Sequence, residues 1–266
     1  MLEASADLRL RPIALPAEHG SWGLVTEPIA LGLLVAPSWG GLCLGLGAFA
    51  VFLTRRPLKV VLASRRHADS TRFTVAAMFI LAYGACAVLG FTAAYALAGS
   101  RPLLPLAVVS PLIGVFLAYD ISNQSRTWQA ELAGSIIFAM VAAAIAVAGG
   151  WMTAPALALT GVLVARAIPS ILYVRNRLRL DRKRPHNRPV TLAAHAVALA
   201  AVATLAAADL LPRLVILPFL ALLVRAVVGL SERRQPATPK KIGLTEMGYG
   251  LATLLILVVC YWTNLY

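Results

Sequence analysis

The stretch MTAPALALTGVLVARAIPSILYV at 152–174, followed by RNRLRLDRKRPHNR at 175–188, decides the fold class of this chain. The first segment is long enough to cross a hydrocarbon core of roughly 30 Å and contains a single charged residue, Arg166. The second segment is strongly basic, as is typical of loops that remain in the cytoplasm. Together they predict a transmembrane helix followed by a cytoplasmic loop.

The same alternation of apolar and basic segments extends along the whole chain. Of the 24 Lys and Arg residues, 18 lie in four alternate gaps between apolar stretches, at 55–72, 120–131, 175–188 and 231–241. The other gaps contain only Arg101 and Arg213. Because cytoplasmic loops are enriched in Lys and Arg, this distribution predicts a cytoplasmic N-terminus and an external Tyr266.

Composition and span length predict an all-α polytopic membrane protein in the bacterial cytoplasmic (inner) membrane. Hydrophobic residues make up 60% of the chain and charged residues 13%, whereas soluble domains have about 25% charged residues. Residues 1–19 are predicted to form a cytoplasmic tail, and residues 20–266 a single transmembrane domain. We predict nine transmembrane helices, at 20–38, 40–54, 73–98, 103–119, 130–149, 152–174, 190–208, 211–229 and 243–265.

The basic net charge of +13 points to lipid rather than to nucleic acid. Basic residues flank the apolar stretches, where they orient helices and contact anionic headgroups. A nucleic-acid module would show a basic patch on a recognisable binding fold. The predicted partners are therefore membrane lipids and not nucleic acid, and the sequence leaves protein partners open. The three cysteines lie in apolar runs without metal-ligand spacing, so no metal site is predicted.

Ionisable side chains inside the predicted spans are the first functional candidates, because each is costly in a bilayer. Such residues are Glu27, Arg166, His195, Arg225 and Glu246. Arg166 lies deepest in its span, where anchoring of a helix end does not explain it. A purely structural ion pair between Arg166 and Glu27 or Glu246 is the alternative.

Span six also carries a polar stripe. Arg166, Ser170, Tyr173 and Arg177 recur at i, i+4, i+7 and i+11, which places them on one face of a helix. Arg175 lies nearby at the cytoplasmic exit. The spacing predicts a polar path from the middle of the membrane to the cytoplasm, although the basic residues at the exit could also serve only to anchor the helix.

A second basic cluster, T-R-R-P-L-K at 54–59, occupies the gap between spans two and three. Guanidinium groups bind phosphate oxygens bidentately, so Arg55, Arg56 and Lys59 are candidate phosphate ligands at a proline-broken turn. A topological role is the alternative. His19 at the membrane edge is a further candidate, for which capping or packing is the alternative.

The chain resembles the YwiC-like family of bacterial membrane proteins over essentially its whole length. The stretches that carry this resemblance are P-A-E-H-G-S-W-G-L at 16–24, R-R-P-L-K at 55–59 and Y-V-R-N-R-L-R at 173–179. The resemblance implies a bacterial membrane protein but no particular reaction.

More distantly, the chain is similar to the UbiA superfamily of intramembrane prenyltransferases. That resemblance implies nine helices, a cytoplasmic N-terminus and active-site loops in the 2–3 and 6–7 gaps, where this chain has its main basic clusters. The stretch Y-D-I-S-N-Q-S-R-T at 119–127 resembles the corresponding segment of these enzymes, which implies a phosphate contact for Arg126. UbiA enzymes hold Mg²⁺ with aspartate-rich motifs. Here 54–59 contains no carboxylate and 173–181 contains only Asp181, so Mg²⁺ is doubtful and no cofactor is predicted.

The leading hypothesis is a UbiA-like helical bundle that binds an anionic lipidic ligand, for example an isoprenoid diphosphate. Basic residues would replace Mg²⁺ as its counter-charge, namely Arg55, Arg56, Lys59, Arg126, Arg166 and Arg177. Further ligand candidates are His19, Tyr173, Arg175 and Glu246. If the protein is an enzyme, the candidate acids or bases are Glu27, Asp120 and Glu131. A transporter or channel component and a non-catalytic structural subunit of a membrane complex remain as alternatives.

Overall fold

The computed structural model describes residues 10–16, 19–67, 70–122, 124 and 127–263, without the side chains of 19–21 and 64–70. This part of the chain is helical and contains no strand. Its α-helices are α1 Arg11–Ala14, α2 His19–Val35, α3 Trp39–His67, α4 Ser70–Ala98, α5 Leu104–Ile121, α6 Trp128–Ala148, α7 Thr153–Asp181, α8 Arg188–Ala207, α9 Ile216–Gly229 and α10 Pro239–Thr263. Short 3₁₀ turns at Arg101–Leu103 and Arg213–Val215 precede α5 and α9.

Each predicted span overlaps one of the helices α2 to α10. Among the described residues, six helices are long and apolar enough to cross a membrane, namely α4, α5, α6, α7, α8 and α10. Helix α2 has a shorter apolar segment, and α9 has 14 residues. The protein is therefore an all-helical membrane protein with multiple apolar helices. The number of nine spans and the cytoplasmic position of the N-terminus stay predictions.

Helix α6 lies at the centre of the bundle. In its most apolar window 67% of the residues are buried, against 11% for α4, and it packs against α2, α3, α5 and α7. Small side chains allow this close approach. A methyl group added to Gly32 of α2 would come within 2.8 Å of Ile145 Cβ, and one added to Gly41 of α3 within 3.0 Å of Ile145 Cγ2. The two glycines therefore make room for Ile145.

Helix α4 is peripheral and packs mainly along α3. The contact is closest at Gly90, where an added Cβ would lie 2.8 Å from both Cys43 O and Gly47 Cα. Backbone atoms cannot rotate away as a side chain does, so only glycine fits at this position. The opposite face of α4 carries exposed apolar side chains such as Met78, Leu81 and Val88.

The prediction that α3 ends at a proline-broken turn was wrong. Helix α3 continues through Pro57 to His67, so the basic cluster at 54–59 is helical. Proline lacks the backbone N–H that would bond one turn back, but the remaining helical hydrogen bonds carry the chain through this position. Because residues four apart share a face, Arg55 and Lys59 point together and Arg56 points elsewhere.

The predicted N-terminal tail is partly packed. Ile13 of α1 is 1% exposed and packs with Val61 of α3 and Ala76 of α4. The Arg56 Nε donates a 2.7 Å hydrogen bond to Pro12 O, and the Tyr83 hydroxyl donates one to Ala14 O. Residues 10–16 therefore lie against the α3–α4 hairpin.

We expect Gly90→Leu to lower the thermal stability of the purified protein in detergent. The added side chain would force α3 and α4 apart, and overpacking typically costs about 1–3 kcal/mol. Gly84→Leu is the matched control, because Gly84 lies on the same helix with no neighbour within 4 Å of an added Cβ. Equal melting temperatures for the two variants would contradict the close α3–α4 contact.

Candidate functional site

Two basic residues of α3 share one buried carboxylate on α5. Arg55 Nη2 lies 2.8 Å from Asp120 Oδ1, and Arg55 Nε donates to Oδ2 at 3.3 Å. Lys59 Nζ lies 2.8 Å from the same Oδ1. The Asp120 side chain is 2% exposed, against 18% for Lys59. We call Arg55, Lys59 and Asp120 the basic cluster. It contains two cations and one anion.

Aromatic rings border the basic cluster. The Arg55 guanidinium carbon lies 4.6 Å from the ring centre of Phe116 and 5.6 Å from that of Phe52, which are cation–π distances. Phe52 continues into an aromatic group whose ring centres lie 5.6–6.2 Å apart, made of Trp22, Phe49, Phe52 and Phe138. The charged groups of the basic cluster therefore lie next to a group of apolar aromatic side chains.

The end of α7 carries two arginines with different partners. Arg175 Nε donates to Glu131 Oε2 of α6 at 2.9 Å, and both side chains are nearly one third exposed. Arg177 is buried. It bonds Asp181 at 2.9 Å, the carbonyl of Gly229 at 2.8 Å and the carbonyl of Gln235. Arg177 therefore joins α7 by hydrogen bonds to the end of α9 and to the α9–α10 connection.

In the middle of α7, Arg166 forms an ion pair with Glu27 of α2. The Arg166 and Glu27 side chains are 12% and 20% exposed, so neither is well solvated. Gly250 of α10 lies against this pair, because an added Cβ there would overlap the Glu27 carboxylate. The pair proposed from the sequence as a structural alternative is thus present.

A second ion pair inside the bundle joins Arg225 of α9 to Glu246 of α10. Arg225 Nη2 also lies 3.0 Å from His195 Nε2 of α8, and His195 Nδ1 lies 2.8 Å from Thr191 O. A guanidinium can only donate, so Nε2 must accept and Nδ1 must carry the hydrogen. His195 is therefore held in its neutral form with the proton on Nδ1.

Two tyrosines enclose the Arg225 guanidinium. Its central carbon lies 4.1 Å from the Tyr173 ring centre and 5.2 Å from that of Tyr249. Gly229 leaves room for the Tyr173 hydroxyl, which an added Cβ would overlap. We call this assembly on α2, α7, α8, α9 and α10 the core network. Its ionisable members are Glu27, Arg166, Tyr173, His195, Arg225, Glu246 and Tyr249.

The structure brings the predicted site residues that it describes together in several groups. Arg55, Lys59 and Asp120 meet in the basic cluster, and Arg56 faces the N-terminal segment. The polar stripe on α7 is divided among different partners. Its Arg166 and Tyr173 belong to the core network with Glu27 and Glu246, and Tyr173 also contacts Arg177 near the end of the helix. Arg175, which lies beside the stripe, pairs with Glu131. The His19 side chain and Arg126 lie outside the described residues.

Arg225 and His195 are more central than the sequence suggested. Both were recognised as ionisable residues within spans, and that costly placement was the available signal. Neither was assigned to the site, because sequence spacing does not reveal which helices meet. Among the side chains described, no group of three His, Cys, Asp or Glu residues is arranged to hold a metal ion.

We expect Glu27→Gln to destabilise the protein by on the order of 3 kcal/mol, because Arg166 would remain buried without a counter-charge. The double variant Glu27→Gln/Arg166→Gln should recover most of this loss. Thermal unfolding in detergent measures both effects. Glu131→Gln, at a more exposed ion pair, is the control and should cost at most about 1 kcal/mol. Equal losses at Glu27 and Glu131 would contradict a buried pair.

Comparison with known proteins places the N-terminal half of the chain in a family. The model of the YwiC-like protein family matches residues 15–148, which include the basic cluster and Glu27 but none of the helices α7 to α10. The stretch at 173–179 that also suggested this family lies outside the match. No curated protein and no solved structure matches the chain, and the UbiA resemblance stays a prediction. Because the matched residues make up half of the chain, the protein belongs to the YwiC-like family.

Proposed function

We propose that this membrane protein binds an anionic, phosphate-bearing lipid at the basic cluster. The observation that carries the proposal is the sharing of Asp120 by two cations. The three side chains sum to one positive charge. Charge complementarity favours an anionic ligand beside Lys59, because phosphate oxygens accept the hydrogen bonds that an ammonium group donates.

Lys59 is the residue best suited to reach the ligand. It is more exposed than Arg55 or Asp120, and an ammonium group has three hydrogen-bond donors. One of them lies on Asp120, which leaves two for phosphate oxygens. Asp120 has a positioning role in this proposal, because it holds both cations on one side of α3.

The aromatic group supports a lipid rather than a free anion. Arg55 lies over Phe52, which packs against Trp22 and Phe138. Phe52 and Phe138 are buried, so Trp22 and Phe49, which are only partly buried, are the rings of this group that an isoprenoid or acyl chain could contact. A ligand with a phosphate head and an apolar tail would therefore match both halves of the site. These features support binding of such a ligand.

Binding is tested with protein in lipid nanodiscs and three probes: farnesyl diphosphate, inorganic diphosphate and farnesol. We expect farnesyl diphosphate to bind most tightly, because it alone engages both the basic cluster and the aromatic group. Lys59→Gln should weaken its binding about tenfold to a hundredfold, since a hydrogen bond to a charged group is worth about 1.5–3 kcal/mol. Lys240→Gln is the matched control, because Lys240 is an exposed lysine of α10.

The probes separate the sources of affinity. Equal binding of inorganic and farnesyl diphosphate would indicate an anion site without a lipid tail. Equal binding of farnesol would contradict a role for the phosphate. Mass spectrometry of lipids that co-purify with wild-type protein, but not with Lys59→Gln, identifies the natural ligand. Identical lipid profiles and affinities for Lys59→Gln and wild type would overturn the proposal.

A transporter or channel component is the second candidate function. The observation that favours it is the core network, whose charged residues come from α2, α7, α9 and α10. Ionisable groups inside a helical bundle often mark ion or proton pathways. Vesicles containing the protein and a pH-sensitive dye test this role. Protein-dependent proton flux under an imposed gradient favours transport, and its absence favours a binding role.

A further inference from the structure

We propose that Trp22 is a specificity-determining residue for the lipid tail, and that residues 11–16 position its indole ring. We call residues 11–16 the N-terminal strap. The proposal rests on the lipid site proposed at the basic cluster, and it concerns the tail of the ligand rather than its phosphate. In this division of roles Lys59 contacts the phosphate and Trp22 contacts the tail.

The N-terminal strap is held by side chains of three helices, α2, α3 and α4, which donate hydrogen bonds to its carbonyl groups. The donors and acceptors are Trp22 Nε1 and Pro16 O at 3.2 Å, Arg56 Nε and Pro12 O at 2.7 Å, and the Tyr83 hydroxyl and Ala14 O at 3.4 Å. Between these bonds Ile13 is 1% exposed and packs with Val61 and Ala76. The two prolines of the strap restrict its backbone, so less conformational freedom is lost when it packs. Ile13 therefore fixes the strap on α3 and α4, and the end of the strap reaches Trp22.

The hydrogen bond to Pro16 holds the indole ring of Trp22 in place. The indole N–H can only donate, and the ring centre lies 6.0 Å from that of Phe49 and 5.6 Å from that of Phe52. If the strap moved away, the N–H would lose its acceptor beside apolar rings, and a donor without a partner is costly there. Trp22 is only partly buried, so its N–H would turn toward water. The position of the strap thus determines the position of the ring.

Trp22 is placed to contact the tail of the ligand rather than its phosphate. One side of α3 carries, at steps of three or four residues, Phe49, Phe52, Arg55 and Lys59. The ten residues from Phe49 to Lys59 correspond to about 15 Å of helix. Trp22 packs at the Phe49 end of this row. A tail that lies along the row from a phosphate at Lys59 therefore reaches Trp22, whereas inorganic diphosphate at Lys59 does not.

Binding to the protein in nanodiscs tests the proposal, with farnesyl diphosphate and inorganic diphosphate as probes. Ile13→Gln places an amide among apolar side chains and should release the strap. We expect it to weaken farnesyl diphosphate binding about threefold to tenfold, the value of one aromatic contact, and to leave inorganic diphosphate binding unchanged. Leu10→Gln, the same kind of change at a residue that is 53% exposed, is the control and should bind both probes as wild type does.

A double variant tests whether the strap acts through Trp22. Trp22→Ala should weaken farnesyl diphosphate binding and spare inorganic diphosphate, and adding Ile13→Gln to it should cause no further loss, because both changes remove the same contact. A further loss in the double variant would refute the positioning role of the strap. So would equal losses for the two probes in Ile13→Gln, which a general disturbance of the fold would cause. If Ile13→Gln does not fold, unchanged farnesyl diphosphate binding in Trp22→Ala overturns the proposal.

Lys59→Gln, measured in parallel, separates a failure here from a failure of the lipid site. If Lys59→Gln weakens binding of both probes while Ile13→Gln and Trp22→Ala bind farnesyl diphosphate as wild type does, the phosphate site stands and the role of Trp22 is refuted. If Lys59→Gln changes the binding of neither probe, the lipid site itself is refuted, and the roles of Trp22 and the strap with it.

Discussion

The cost of burying a guanidinium without a counter-charge constrains this structure more than any other interaction. Arg166 and Arg225 lie inside a bundle of apolar helices, and each is matched by a carboxylate on another helix. Removing one partner of such a pair leaves a charge that neither lipid nor packed side chains can solvate. The positions of α2, α7, α9 and α10 are therefore coupled, because their charged residues must meet. This coupling also joins the family-matched half of the chain, through Glu27, to the half outside the match.

Close helix packing makes these meetings possible. Gly250 and Gly229 leave space for the Glu27 carboxylate and the Tyr173 hydroxyl, so the two glycines belong to the core network although they carry no chemistry. The same use of small residues surrounds Ile145 of α6 and the α3–α4 contact at Gly90. Van der Waals packing rather than the hydrophobic effect holds helices together in lipid, and it acts only at short distance.

Charge balance separates the two groups of ionisable residues. Each arginine in the two ion pairs of the core network has a carboxylate of its own, whereas two cations of the basic cluster meet at one carboxylate. That difference is the reason that the proposed lipid site lies at Lys59 and not in the core network. It also revises how the arginines are viewed. Arg166 and Arg177 were candidates for ligand contact, but both are engaged within the protein, Arg177 with the carbonyls of the α9–α10 connection.

The sequence by itself determined the fold class and the approximate location of nearly every helix. Apolar stretches of membrane-spanning length and basic gaps are local properties, and α4 to α8 appear where the hydropathy predicted them. Local patterns were less reliable where a proline lies inside a helix, as in α3, whose continuation past Pro57 depends on packing with α1 and α4.

Only the tertiary structure decided which charges meet. The spacing on α7 placed Arg166 and Tyr173 on one face, but it could not show which of the possible partners, Glu27 or Glu246, pairs with Arg166. Likewise, Lys59 lies on α3 and Asp120 near the end of α5, with α4 between them in the chain. No sequence pattern indicates that these two residues meet. Such pairings depend on how helices distant in the chain are arranged in space. Sequence periodicity determines the face of a single helix, and the packing of the whole bundle determines what that face contacts.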